Sequence, residues 1–172
     1  MNKNFSNIKY LFEPRTIAVI GASASPGKIG NKIVDNIINA GYRGKVFPIN
    51  PNGGELLGYK VYKSLHEITD EIDVVAIAIP AKYVFQAVKD CAAKHVKFLT
   101  IISSGFSEVG NLDGEHKIRD FAREHGMRIL GPNIFGHYSA VSSLKVHRLK
   151  NNNHSSKTMS SEPSESTHSN NA

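Results

Sequence analysis

Cysteine is nearly absent: Cys91 is the one thiol in 172 residues, which excludes an intrachain disulfide and any cysteine-based metal cluster. A reducing, cytoplasmic compartment is the expected setting. Long apolar runs are missing too. No stretch approaches the ~20 residues needed to span a bilayer, and residues 1–14 lack the apolar core of about 7–15 residues that a signal peptide carries. Neither an arginine-rich run nor an aromatic ladder accompanies the net charge of +6. Residues 1–138 hold 17 Lys and Arg against 13 Asp and Glu, and the other 34 hold 4 against 2. So scattered a charge belongs to a solvated surface, with no nucleic-acid partner expected, though it favours anionic ligands. His66, His95, His116, His125 and His137 show no metal-ligand spacing, and no zinc site is expected.

What is present is enough for one domain and a tail. Residues 16–22 form a short apolar run stopped by glycine. Apolar residues then recur at Ile29, Ile33, Val34, Ile37 and Ile38, so the pattern reads strand, tight loop, amphipathic helix. Gly41 stops that helix, and residues 45–51 read as a second strand ended by proline. Residues 56–62 form either a short hairpin or an irregular excursion, and Ser64 with Glu67 has capping-box spacing. Residues 73–80 are almost wholly apolar, as in a parallel strand covered on both faces. A helix over 81–95, a strand over 97–103, a helix over about 113–125 and a last strand over 128–132 complete the alternation. Five strands alternating with helices imply an α/β fold, a doubly wound parallel sheet with right-handed crossovers. The domain is expected over residues 8–136. From Ser139 onward, polar residues dominate, with three asparagines from Asn151 and six serines between Ser155 and Ser166, and residues 139–172 are expected to be a disordered polar tail.

The chemistry-bearing motifs fall beyond the carboxyl ends of the strands, where such sheets bind ligands. Foremost is the loop 21–30. A glycine-rich turn between strand and helix aims backbone N–H groups and the positive end of the helix dipole at an anion. Here Gly21 lets the chain leave the strand, Gly27 and Gly30 admit close approach of a ligand, Pro26 stiffens the turn and Lys28 adds a cation. The dinucleotide pattern needs a glycine where Ser23 stands, and the P-loop pattern needs a shorter spacing and a hydroxyl where Ile29 stands. The second strand ends in Asn50 and Pro51, with no acid for a ribose 2′-hydroxyl. NAD and ATP hydrolysis are disfavoured; NADP and coenzyme A both remain, and Lys28 serves either a ribose phosphate or a pyrophosphate. Glu108 reads as a general base or, more simply, as a loop cap. The stretch 105–109 ends in Val109 and is not a serine-hydrolase elbow. Cys91, mid-helix beside Val88 and Ala92, reads as a buried structural thiol.

Five motifs in order, Leu11 to Ser23, Pro26-Gly27-Lys28-Ile29-Gly30, Gly41 to Pro51, Ser103 to Glu108 and Gly131-Pro132-Asn133, resemble the N-terminal CoA-binding domain of ADP-forming acyl-CoA synthetases, relatives of the succinyl-CoA synthetase α subunit. The resemblance implies coenzyme A as ligand, with Gly21, Ser23, Pro26, Gly27, Lys28, Ile29 and Gly30 around its phosphates. It places Asn50, Pro51, Pro80 and Ala81 on the adenine side, Ser104, Gly105 and Glu108 along the pantetheine arm, and Asn133 at the acyl end. It further implies that the phosphohistidine and ATP-grasp parts lie on other domains or a partner chain, so that no catalytic residue is expected here. Two other readings are an NADP-binding redox or sensor protein and a non-catalytic remnant acting through a partner.

Overall fold

The structure, a computed structural model, describes residues 8–149. Five strands form one parallel sheet: β1 (Thr16–Ile20), β2 (Lys45–Ile49), β5 (Val74–Ile77), β6 (Phe98–Ile101) and β7 (Arg128–Leu130), in the order β2-β1-β5-β6-β7. Every residue of β5 and β6 is buried, which explains why β5 is wholly apolar and β6 apolar apart from Thr100, with no polar–apolar alternation in either. The order reverses between β1 and β5, the switch point at which a doubly wound sheet opens a crevice. Residues 56–62 resolve as a hairpin of β3 (Gly54–Leu56) and β4 (Tyr59–Val61).

Helices α3 (Ala81–Ala93) and α4 (Leu112–Glu124) cover one face, where Val84, Val88, Cys91, Ile118 and Ala122 pack on Val75, Ile77, Leu99 and Ile101. Burial of Cys91 pushes its thiol pKa up. On the other face lies α2 (Ile29–Asn39), with Ile33, Val34 and Ile37 against Ile17, Val19 and Val74. One element is added and one local expectation changes. A short α1 (Lys9–Phe12) precedes the sheet. The Ser64 side chain caps nothing at the 3-10 turn Leu65–Glu67; instead a Glu67 carboxylate oxygen accepts the Lys63 N–H at 3.1 Å.

The larger correction concerns residues 139–149, expected to be structureless. They belong to an antiparallel hairpin of β8 (Gly136–Ser139) and β9 (Leu144–His147). Helix α2 covers only part of its face, and the hairpin closes the rest: Leu144 and Val146, both 0% exposed, join Phe98 and Ile102 in the α2-side core. Polar anchors fix it at both ends. The hydroxyls of Ser139 and Ser142 donate to the Phe12 carbonyl at 2.6 and 2.7 Å, and the buried Asn36 amide of α2 donates to the carbonyls of His147 and Leu149 at 2.9 and 2.7 Å. Residues 150–172, the remainder of the expected tail, lie outside the described residues.

The hairpin also carries a titratable contact. His137 Nδ1 sits 3.3 Å from Thr100 Oγ1 on β6, its Nε2 is buried without a partner among the described residues, and burial lowers its pKa from 6.5 to about 4. The unfolded chain therefore binds this proton more readily than the fold does. Stability from the neutral ring is complete above pH 6.5 and drains away as the pH falls toward 4. Urea unfolding at pH 7 and pH 4.5 is expected to differ by about 2–3 kcal/mol on this account. In His137→Phe the difference shrinks by most of that amount; an unchanged difference would show that the ring titrates freely.

Candidate nucleotide-ligand cleft

The loop between β1 and α2 is held from beneath, which leaves its outer side open. The Gly21 and Ala22 N–H groups both donate to the Ile49 carbonyl at 3.0 and 3.1 Å. Asn50 Nδ2 donates to the Ala22 carbonyl at 2.7 Å, and Asn31 Nδ2 to the Ser23 carbonyl at 2.9 Å. The Ser23 hydroxyl in turn accepts the Ser25 N–H at 3.2 Å. Gly21 has φ +94°, and a Cβ there would meet the Ala78 carbonyl; one at Gly30 would run into the Gly21 carbonyl. Gly27 faces open space, with nothing within 4 Å of its would-be Cβ. Gly30 therefore lets the loop close on itself rather than admitting a ligand, whereas Gly27 leaves room for close approach. No side chain caps the start of α2, so its first-turn N–H groups point to whatever lies in front of them.

In front of them is a cleft of about 470 Å³ at the carboxyl ends of β1, β5 and β6. Seven of the expected residues line it: Gly21, Gly27, Lys28, Ile29, Gly30, Pro80 and Ser104. Among the described residues its charged lining is Lys28 and Arg148, with no carboxylate, so the field in the cleft favours an anion. Ser103 secures its far wall: the hydroxyl accepts the Ile79 N–H at 3.1 Å, and its carbonyl accepts the Asn133 N–H at 3.0 Å.

The other expected residues do not line the cleft. Ser23 and Asn50 brace the loop, as described. Pro26 lines a separate groove on the loop's outer flank, with Lys32 and Leu57, and Pro51 is exposed beyond β2. Ala81 opens α3 and lies where a Cβ on Gly105 would fall. Glu108 turns back on its own loop, where its carboxylate accepts the N–H groups of Gly105 and Phe106. Those bonds, the Gly105 one foremost, hold its pKa below the ordinary glutamate value. A carboxylate so engaged is a loop cap, poorly placed to take a substrate proton. Sequence reasoning placed Ser103 in a ligand-edge motif without giving it a contact, and missed Arg148. Ser103 closes an apolar strand and was legible as its last residue; Arg148 reaches the cleft only because the hairpin folds back.

A larger opening of about 620 Å³ lies at the amino ends of the strands, between Arg15, Arg43 and Lys45. Two of those cations are already committed, Arg15 to Asp73 and Lys45 to Asp70, at 3.6 and 2.8 Å. It also lies opposite the end where doubly wound sheets bind ligands.

A parallel sheet with this order, whose first strand feeds a glycine-rich loop and an uncapped helix at the switch point, defines a Rossmann-like domain. The chain belongs to the CoA-binding domain family, whose profile, described as CoA binding domain, matches residues 15–138. Coenzyme A is the ligand that membership assigns to it.

The acetate–CoA ligase [ADP-forming] I subunit alpha of Pyrococcus furiosus is 51% identical over 137 residues, which cover 76% of this chain and 29% of the relative. Acetate–CoA ligase [ADP-forming] II of Archaeoglobus fulgidus is 45% identical over 132 residues, covering 76% of this chain and 20% of the relative. Among solved structures, a dinucleotide-forming acetyl-coenzyme A synthetase 1 of Ca. Korarchaeum cryptofilum, in complex with phosphate and ADP, superimposes with a TM-score of 0.79 at 44% identity, covering 81% of this chain and 30% of that one. The chain thus spans less than a third of the length of these relatives.

Proposed function

We propose that the cleft is the coenzyme A site and that the chain serves as the CoA-binding module of an ADP-forming acyl-CoA synthetase, the reaction being acid, CoA and ATP to acyl-CoA, ADP and phosphate. The observation that carries this reading is the cleft's composition: loop amides, an uncapped helix start, Lys28 and no carboxylate, at the switch point of the sheet. The phosphates lie against the loop 21–30. The adenine side is walled by Pro80 and Ala81, with Asn50 and Pro51 at the loop's other flank, and the pantetheine arm leaves past Ser104 and Gly105. Phosphoryl transfer falls to a phosphohistidine and an ATP-grasp unit on other domains or a partner chain, and the module itself carries no catalytic residue. The buried lone cysteine suits the reducing cytoplasm.

Thermal unfolding with CoA, dephospho-CoA and NADP tests the reading. A ligand that binds only the folded state stabilises it by about 2.7 kcal/mol at a hundredfold excess over Kd. CoA is expected to give that shift; a response to NADP alone would favour a redox or sensor protein. In Lys28→Ala, CoA affinity is expected to fall about 10- to 100-fold, the loss of one charge-assisted hydrogen bond. A smaller loss with dephospho-CoA than with CoA places Lys28 on the 3′-phosphate, and equal losses place it on the pyrophosphate.

A further inference from the structure

Arg148 stands out because its backbone and side chain both make contacts yet it has no acidic partner among the described residues. Its N–H donates to the Phe135 carbonyl at 3.0 Å, and its guanidinium carbon lies 4.1 Å from the centroid of the Phe135 ring. The carbonyls of its two neighbours, His147 and Leu149, are both bound by the buried Asn36 of α2. Backbone and side chain are thus fixed from three directions, and no carboxylate pairs with the guanidinium among the described residues. Stacking on Phe135 leaves the planar edge of guanidinium donors unused, which suits it to an anion. It lines the same cleft as Lys28, the only other charged residue there.

We propose that Arg148 is a second phosphate-binding cation of this cleft, gripping a phosphate of the bound nucleotide-type ligand from the hairpin side while Lys28 and the loop amides hold it from α2. The inference rests on the reading of the cleft as the CoA site. It makes the hairpin part of the binding site: β8 and β9 deliver a donor fork to the cleft as well as covering the sheet. The planar fork also sets a requirement that lysine does not meet, because an ammonium on a flexible stem neither stacks on Phe135 as a plane nor donates two parallel bonds.

The test is isothermal titration of the full chain with CoA, NADP and pantetheine, for wild type, Arg148→Ala and Arg148→Lys, with urea unfolding of each. Arg148→Ala is expected to weaken CoA at least tenfold, to leave any pantetheine binding unchanged, and to keep wild-type stability within error. Arg148→Lys recovers only part of the loss and, by keeping the charge, serves as the folded control if the alanine variant unfolds. Unchanged CoA affinity in both variants would overturn the inference while leaving the CoA reading intact. Lowered stability with unchanged affinity would do the same, reducing Arg148 to a stacking role. Should wild type bind NADP and not CoA, the CoA reading falls, and the inference stands if Arg148→Ala weakens NADP and falls if it does not. Binding of none of the three by wild type overturns both.

Discussion

Gly30→Ala is expected to destabilise the domain by about 2–3 kcal/mol and to remove measurable CoA binding. In an ordinary helix the exchange of glycine for alanine stabilises by about 1 kcal/mol, so the sign is the informative part. It reverses here because the added Cβ would fall on the Gly21 carbonyl, which Gly21 cannot withdraw while its N–H is bonded to Ile49 and its own Cβ position is taken by Ala78. Overpacking of this kind costs about 1–3 kcal/mol, and so close a clash with backbone, leaving no helix gain to offset it, belongs in the upper part of that range. Relief comes only by opening the loop, which turns the amides away from the cleft. Gly27→Ala makes the contrast. Its Cβ meets nothing, so stability falls only by the ~1 kcal/mol of a left-handed residue, here at φ +86°, while ligand approach is blocked. Urea unfolding and CoA titration of the pair separate the two glycines; a Gly30→Ala protein as stable as wild type would mean that the loop is not closed as described.

Leu144→Ala is expected to cost about 3 kcal/mol, within the range of 2–5 kcal/mol for a fully buried leucine. The side chain is 0% exposed and packs in the α2-side core with Val146. Val141→Ala, in the turn between β8 and β9 and 73% exposed, should stay within about 0.5 kcal/mol. A polar tail without structure would make both changes silent, so equal, negligible effects would contradict the hairpin. Because Arg148 rides on the same hairpin, Leu144→Ala should also weaken CoA at temperatures where the fold persists.

The difference between these two regions explains what the sequence could disclose. Strand β1, its loop and α2 announce themselves through local signals: an apolar run, a glycine stop and a 3.6-residue apolar period from Ile29 to Ile38. The apolar β5 and the nearly apolar β6 are equally plain, since burial on both faces favours apolar residues throughout, Thr100 being the one exception. The hairpin has no such redundancy. The apolar part of its inward face is Leu144 and Val146, an alternation of two residues set among serine, lysine and histidine, and what makes them core is the uncovered sheet face elsewhere in the chain. The loop shows the same limit at finer grain. Glycine, lysine and proline marked it as a phosphate loop, but whether Gly30 serves the ligand or the loop's own closure, and whether Asn50 faces the cleft or braces Ala22, depends on backbone atoms tens of residues away. Lining residues from the loop were legible as types; Arg148, placed by a long-range fold-back, was not.

Amide chemical-shift mapping of the chain on titration with CoA tests the central claim most directly. The account predicts the largest changes at residues 21–30, at Ile79 and Ala81, at Ser103 and Ser104, and at Arg148, around the cleft of about 470 Å³. Changes concentrated instead at Arg15, Arg43 and Lys45, around the opening at the other end of the sheet, or no changes at saturating CoA, would contradict it.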